Sequence, residues 1–504
     1  MIYMIENFLK KQEITKLMLF KYVSSNSFVD ILHLSDTFHL SKSSIKRYLS
    51  DLNSLLASDS DTRNFQIKQN ESFSYYLAGS NDEDININYL YFKIQLIFFN
   101  NSAIFQLFTI LFNSEPITLI EVCKEISISE NYCYRLVKKL NSIIKPYSMS
   151  ISTKHNALRL LGKESDIRII YFVMFTSIYQ NLEWPFITIS QKKAHTLSSF
   201  YNLNSYQMTS ISSRIDFLLA ILENRIHKTN YIQPMPAFID ELTQVFVDCH
   251  DLTAELAYFP TNYPLIKNST TEKNERLFFN LFVRIIDSTI DSDLVKITIG
   301  EKLAHLKHPL TDYYLALNQQ FLKTFNLSNS KKLLYEFMYY TLLHHVYSLY
   351  TCLDYQQIIQ TNNFDYSSNI PEQINLFYTT FWDNSNVPNK FFTNYLHVCI
   401  QSILTSLFYI HKKNYLKIYI QYTKSSLGKT LIESQIKNFF NPESIQIIQK
   451  LDEADIVISD SNEKKINEIA YFFFTNINNN HSWSKLLAFI QQELFNLYVT
   501  PPID

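Results

Sequence analysis

Two clusters of cations and small polar side chains recur along this chain. Lys42, Ser43, Ser44, Lys46 and Arg47 follow Ser41, and Asn131, Tyr134, Arg135, Lys138 and Lys139 follow Ser129. Long cations reach phosphate oxygens and the acceptor edge of guanine, and short hydroxyls and amides bond phosphates and base edges. That mixture suits a helix lying in the major groove of duplex DNA. Each cluster interleaves with an apolar stripe at helical period: Ile45, Leu49, Leu52 and Leu56 in one, Cys133, Val137, Leu140 and Ile144 in the other. The polar residues therefore form the outward face of an amphipathic helix, with Ser41 and Ser129 as N-caps. Residues 41–56 carry three cations and one anion (+2), and residues 129–145 carry four and one (+3).

These helices need a scaffold, and the flanking sequence supplies one twice. Leu34, Phe38, Leu40, Ser41, Ile45, Arg47, Leu49, Leu52, Asn53 and Leu56 reappear 88 positions on as Val122, Ile126, Ile128, Ser129, Cys133, Arg135, Val137, Leu140, Asn141 and Ile144. Asp30 and Thr118 are placed to cap a preceding short helix in each copy, and His39–Leu40 forms the first turn. Residues 65–79 and 149–162 alternate in part and end on Gly79 and Gly162, which predicts a β-hairpin wing after each helix pair. Lys154 and Arg159 in the second wing are candidate phosphate contacts. A single helical hairpin with Ser caps fits any three-helix bundle; two in register, each followed by a strand pair and a glycine, point to DNA. Cys133, in the place of Ile45, reads as a small core residue and not a reactive thiol.

The bulk numbers restrict what surrounds this repeat. A chain of 504 residues exceeds a single core and divides into roughly three to five domains. With 46% hydrophobic and 18% charged residues it has the balance of a folded protein. Only 4 Gly against 39 Phe and 34 Tyr leaves little for Gly-rich phosphate loops and suits a helix-rich fold. The Asn, Ile, Lys, Tyr and Phe bias matches an AT-rich genome. A net charge of −2 means that DNA binding must rest on locally concentrated cations. Cys123, Cys133, Cys249, Cys352 and Cys399 lack CxxC spacing, which argues against a disulfide framework or zinc site. The first residues lack the pattern of a secretory leader, so none is expected, and the most apolar runs fall short of the ~20 residues a membrane span needs. The expected location is the cytoplasm, with no membrane partner.

Beyond the repeat, residues 165–409 carry long helical patterns with aromatic faces, for example 215–226, 278–290 and 333–350. Polar interruptions at 272–275 and 365–372 read as loops between bundles. The last ~95 residues alternate: strands at 417–421, 444–449, 454–459 and 468–475, helices at 429–439 and 483–498, which predicts a small parallel α/β sheet. The expected organisation is multidomain and mainly α: winged helix-turn-helix domains at 1–82 and 83–164, helical bundles at 165–290 and 291–410, and an α/β domain at 411–504.

This order of parts, carried by residues 34–53, 122–141, 218–232 and 416–460, resembles the Mga/AtxA-like virulence regulators of Gram-positive bacteria. The resemblance implies that the bundles are similar to the regulation domains (PRD-like) targeted by the sugar phosphotransferase system, and that the α/β module is EIIB-like. It implies a DNA-binding regulator of virulence or carbohydrate-responsive genes. Its partners would be double-stranded promoter DNA, a second copy docked through the C-terminal domain, and phosphotransferase phosphocarrier proteins. His is the phospho-acceptor in such bundles, which makes His227, His305 and His308 candidate phosphorylation sites, although Asn230 stands where many relatives place the His. Phosphate-carrying EIIB domains use a Cys after their first strand, and residues 421–427 contain none.

No other constellation supports an enzyme. Gly428, Lys429 and Thr430 match the end of a phosphate loop, but Thr423 replaces its first Gly. His344 and His345 are adjacent on a helix and do not face one another. No cofactor or metal is expected. An RNA-binding antiterminator shares similar bundles but opens with a short β-rich domain, and a phosphotransferase-type carrier would need the absent Cys.

Overall fold

The computed structural model describes residues 5–79, 87–153, 157–198, 209–253, 269–287, 289–327, 330–351, 371–385, 394–411, 415–425, 427–441, 444–461, 469–474 and 476–499. It is mainly helical, with three small sheets among these residues. The chain forms two compact units: residues 1–307 with 338–365 and 389–396, and residues 308–337 with 366–388 and 397–504.

The first unit opens with α1 (Lys11–Ser25), strand β1 (Val29–Asp30), α2 (Ile31–Phe38), α3 (Lys42–Ser58) and the hairpin β2 (Gln66–Gln69) and β3 (Ser74–Ala78). The pattern then repeats: α4 (Ile87–Asn100), α5 (Ala103–Ser114), β4 (Ile117–Thr118), α6 (Leu119–Ile126), α7 (Glu130–Ile144), β5 (Ser150–Ser152) and β6 (Ala157–Leu161). The two antiparallel sheets share one topology, β1-β3-β2 and β4-β6-β5, so a short strand before the helix pair closes each wing. Among the described residues no single helix is long and apolar enough to cross a membrane; α4 and α5 would suffice together but meet at 82°.

Helix α8 (Glu164–Tyr179) follows the second wing and is buried along almost its whole length, apolar on all faces from Ile169 to Phe175 and with Glu164 and Arg168 of its first turns held in buried ion pairs. It packs against α10 (Thr209–His227) and meets α12 (Ser269–Ile286) through Arg168–Glu275 and Phe172–Phe282, while α9 (Gln191–Ser198) lies on α10, and α11 (Ala237–Cys249) packs against α12 and α13 (Asp293–His305). Residues 272–275, expected as a loop, lie inside α12, because Glu275 turns inward to a buried ion pair and interrupts the pattern without breaking the helix. The helix expected at 278–290 ends at Ile286, where Asp287 accepts hydrogen bonds from the Thr289 backbone amide and hydroxyl in a tight turn. Of the loop expected at 365–372, residues 365–370 lie outside the described residues, and Glu372 already begins a helix.

The second unit contains α14 (Pro309–Thr324), α16 (Glu372–Asp383) and the C-terminal sheet, and shares α15 (Lys331–Tyr350) and α17 (Asn394–His411) with the first. β7 (Leu416–Gln421), α18 (Gly428–Phe439), β8 (Ile445–Ile448), β9 (Ile456–Ser459), β10 (Ala470–Phe473) and α19 (Asn480–Val499) complete it. The four strands are parallel in order β10-β9-β7-β8, over a core of Ile418, Ile420, Ile432, Ile456, Ile458 and Leu486.

Candidate nucleic-acid interface

In the first copy, the Asp30 carboxylate accepts from the Leu32 amide at 2.5 Å to start α2, which ends where His39 enters the left-handed region (φ 52°). The chain reverses there, and Ser41 starts α3 by accepting from the Ser44 amide at 3.2 Å. Ile45, Leu49, Leu52 and Leu56 are buried, which leaves Lys42, Ser43, Lys46 and Arg47 exposed and Ser44 half-buried. Arg47 rests over the Tyr48 ring at 5.4 Å, a contact that favours an extended, presented guanidinium.

The second copy repeats each device. Thr118 and Glu121 form a reciprocal capping box on α6, Ser127 (φ 60°) makes the left-handed turn, and the Ser129 hydroxyl accepts from the Tyr132 amide at 3.4 Å. Cys133, Val137, Leu140 and Ile144 are buried; Asn131, Tyr134, Arg135, Lys138 and Lys139 are exposed, with Arg135 over the Tyr132 ring at 5.4 Å. Burial, helped by the neighbouring Cys123 thiol, pushes Cys133 up to about 12, consistent with an inert core thiol. Arg159 is exposed on β6; Lys154 lies outside the described residues.

The repeated asparagine has a role that its place in the pattern did not disclose. Asn53 on α3 accepts from the Ile67 amide at 2.7 Å and donates to the Ile67 carbonyl at 2.9 Å. Asn141 on α7 accepts from the Ile151 amide at 2.6 Å and donates to the Ile151 carbonyl at 3.5 Å. A carboxamide presents one donor and one acceptor side by side, which is what a lone strand residue needs. Each wing is thereby pinned to its own outward-facing helix. Lys10 was also missed by pattern: it joins Arg135 and Lys139 around a cleft of about 310 Å³ with Glu13 and Ser102, extending the basic surface from the second copy onto the start of the first.

Behind the second copy runs a chain of five buried charged side chains. Glu115, after α5, accepts from the Leu160 amide of the wing at 2.6 Å and is ion-paired with Arg225 of α10. Arg225 also holds Glu164 of α8 (2.8 and 2.9 Å), Glu164 accepts from Arg168 at 2.9 Å, and Arg168 makes a two-pronged pair with Glu275 of α12 at 2.6 and 2.9 Å. Burial disfavours the Arg225 cation, but hydrogen bonds and charge from Glu164 and Glu115 outweigh it and raise its pKa. Lys228, three residues on, donates to the Phe112 carbonyl; burial brings its ammonium down to about 8.

Of the candidate histidines, His227 is exposed on the last turn of α10, two residues beyond Arg225. His305 is exposed at the end of α13 with Nδ1 2.8 Å from the Glu301 carbonyl. His308 is the N-cap of α14, its Nδ1 accepting from the Leu310 amide at 3.1 Å, a structural use of that nitrogen. In the C-terminal sheet the loop after β7 meets a carboxylate of the chain itself. Asp460, at the end of β9, accepts from the Thr423 and Lys424 amides at 2.9 Å and from the Thr423 hydroxyl at 3.1 Å. Those amides lie at the carboxyl end of the strands, where parallel sheets hold ligands, and they are already satisfied.

Residues 86–175 match the Mga helix-turn-helix domain family, a stretch that covers the second copy and the first part of α8. A protein described as "Putative trans-acting regulator", from Streptococcus pneumoniae serotype 4, is 28% identical over 147 residues. The shared stretch is 29% of this chain and 28% of that protein. The second helix-turn-helix unit is thus similar to the Mga helix-turn-helix domain, and both likenesses support a regulator of that kind.

Proposed function

We propose that this Mga-like protein is a cytoplasmic transcription regulator that binds double-stranded promoter DNA through two winged helix-turn-helix units, 1–82 and 83–164. The observation that carries the reading is the duplicated presentation of cations on capped helices, α3 and α7, each with a wing pinned beside it by an asparagine. Ser41, Lys42, Ser43, Ser44, Lys46 and Arg47 would contact DNA from the first unit. Ser129, Asn131, Tyr134, Arg135, Lys138 and Lys139 would do so from the second, with Lys154 and Arg159 on the wing phosphates. The regions 165–290, 291–410 and 411–504 would serve as two PRD-like control domains and an EIIB-like module. Virulence or carbohydrate-responsive genes are the proposed targets, with phosphorylation of His227, His305 or His308 by phosphocarrier proteins as the control.

Self-association through the C-terminal module is supported by Leu431 and Phe439, exposed eight residues apart on α18, and by Leu427, exposed at its N-cap. An electrophoretic shift on promoter-length duplex tests the DNA reading. Retarded bands that weaken steeply with salt are expected, because phosphate contacts release counterions. The combined variant K46A/R47A/R135A/K138A/K139A should lose them; undiminished binding would sink the assignment of α3 and α7. Competition by hairpin RNA stronger than by duplex would favour the antiterminator reading instead.

A further inference from the structure

The tip of the first wing combines two costs that the fold itself does not require. Phe73 sits in the left-handed backbone region (φ 63°), and its side chain is 67% exposed. The turn is well ordered by hydrogen bonds: the Phe73 amide donates to the Asn70 carbonyl at 3.1 Å, the Ser74 amide to the Asn70 side chain at 2.8 Å, and the Gln69 side chain to the Phe73 carbonyl at 3.3 Å. A glycine or asparagine is the residue such a position favours, and a bulky side chain there is strained. The other non-glycine residues with positive φ among those described are all polar, His39 and Ser127 closing helices among them. Phe73 is the apolar one. Strain and exposed ring together, held by a rigid turn, mark a side chain kept for contact with something outside the chain.

The geometry of the wing says what that is. Asn53 ties β2 to α3 through both backbone groups of Ile67, so the hairpin travels with the helix that carries Lys46 and Arg47. With α3 in the major groove, the tip of a hairpin fixed alongside it meets the sugar-phosphate edge and the flanking minor groove. Lys68 and Gln69 are exposed on the strand leading to the tip, a cation and an amide suited to phosphate and to minor-groove acceptors. An aromatic ring ahead of them is the side chain that proteins press between base steps from the minor groove. We propose that Phe73 is a DNA-contacting wedge, inserted into the minor groove beside the site read by α3. This rests on the DNA reading above and adds to it a non-ionic contact in the first unit.

The test uses the full chain and an end-labelled, promoter-length AT-rich duplex whose TA steps unstack easily. Affinity is measured by anisotropy over a salt series, bending by energy transfer between the duplex ends, and folding by thermal melting. Phe73→Asn and Phe73→Gly should melt at an equal or higher temperature, since both relieve the backbone. They should bind roughly tenfold more weakly, the scale of one lost aromatic–base contact. The slope of log affinity against log salt should stay unchanged, because no phosphate contact is lost. Phe73→Leu should retain most of the bend and Phe73→Asn lose it. Wild-type affinity and bend in Phe73→Asn would overturn the proposal, as would unchanged binding with lost reporter transcription, which would assign the ring to a protein partner. Failure of the wild-type chain to bind duplex at any salt would overturn the DNA reading itself, an outcome separate from any effect of the variants.

Discussion

The two winged helix-turn-helix units share a scaffold and differ in where they put charge and in what holds them. In the first, cations occupy the start of α3 as Lys42, Lys46 and Arg47, and the positions equivalent to Lys138 and Lys139 are Ser50 and Asp51, the latter paired with Lys16 at 2.8 Å. In the second, Glu130 stands at the start of α7 and the cations run along its middle as Arg135, Lys138 and Lys139. The supports differ more. The first unit is held by partly exposed pairs, Lys16–Asp51 within it and Lys93–Asp59 between it and α4, the second by the buried series from Glu115 to Glu275. Exposed pairs contribute little and tolerate loss, whereas a buried pair left half-made strands a charge in the core. The two units are therefore held by unlike means: buried ion pairs join the second to the helical bundle that follows it.

The largest test of this contrast is to break one brace on each side. Arg225→Met should destabilise the first compact unit by about 3–5 kcal/mol, because Glu115 and Glu164 lose their buried cation. Lys16→Ala should cost at most about 1 kcal/mol. Denaturant unfolding measures both, and hydrogen exchange at the Leu160 amide should rise only in the first variant. Equal costs would remove the distinction.

The next tests probe what the units have in common. Asn53→Ala and Asn141→Ala should each cost about 1–3 kcal/mol by leaving one strand residue unsatisfied, with exchange rising at the Ile67 or Ile151 amide respectively. A variant whose wing amide stays protected would show that the asparagine does not hold it. Charge placement comes after. Replacing Arg135, Lys138 and Lys139 by Ala should flatten the salt dependence of DNA binding more than replacing Lys42, Lys46 and Arg47, by about one unit of slope for each phosphate contact removed. The reverse order would make the first unit the principal reader.

The last test is a pH dependence at the contact between Lys228, just after α10, and the Phe112 carbonyl of the second unit. Burial holds the Lys228 ammonium at about 8 against an ordinary value of 10.5, so the native chain sheds this proton before the unfolded one does. Between those two values the unfolded state binds more protons, and stability rises with pH there. Below about 8 the charged, buried ammonium is a constant cost. The wild type should gain on Lys228→Met as pH is raised from 8 to 10.5, read as the difference in melting temperature. A flat difference would mean that Lys228 remains solvated in the native state.

Much of this organisation was legible because it is local. Caps at Asp30, Ser41, Thr118 and Ser129, the apolar stripes and the alternation in the wings are spacings along one stretch of chain, and the structure places them as read. The strands of the C-terminal module were equally readable, since each is a short apolar run between polar turns. Residues 272–275 were misread as a loop for the opposite reason. A glutamate among polar neighbours looks like a solvated break, and its partner, Arg168, lies more than a hundred positions earlier. The pattern likewise contained Asn53 and Asn141 without disclosing what they bind, because a carboxamide can satisfy many partners and only the neighbouring strand selects one.

The sequence by itself determined the two-fold repeat, the faces that its helices present and the parallel α/β end, because hydrophobic period and capping act within a turn or two of chain. Only the tertiary structure decided which ions are buried, how the second unit is joined to the bundle, and that Asp460 fills the loop where an anion would sit. Those outcomes depend on charges brought together from distant segments, and their energies are set by how far water is excluded when the segments meet.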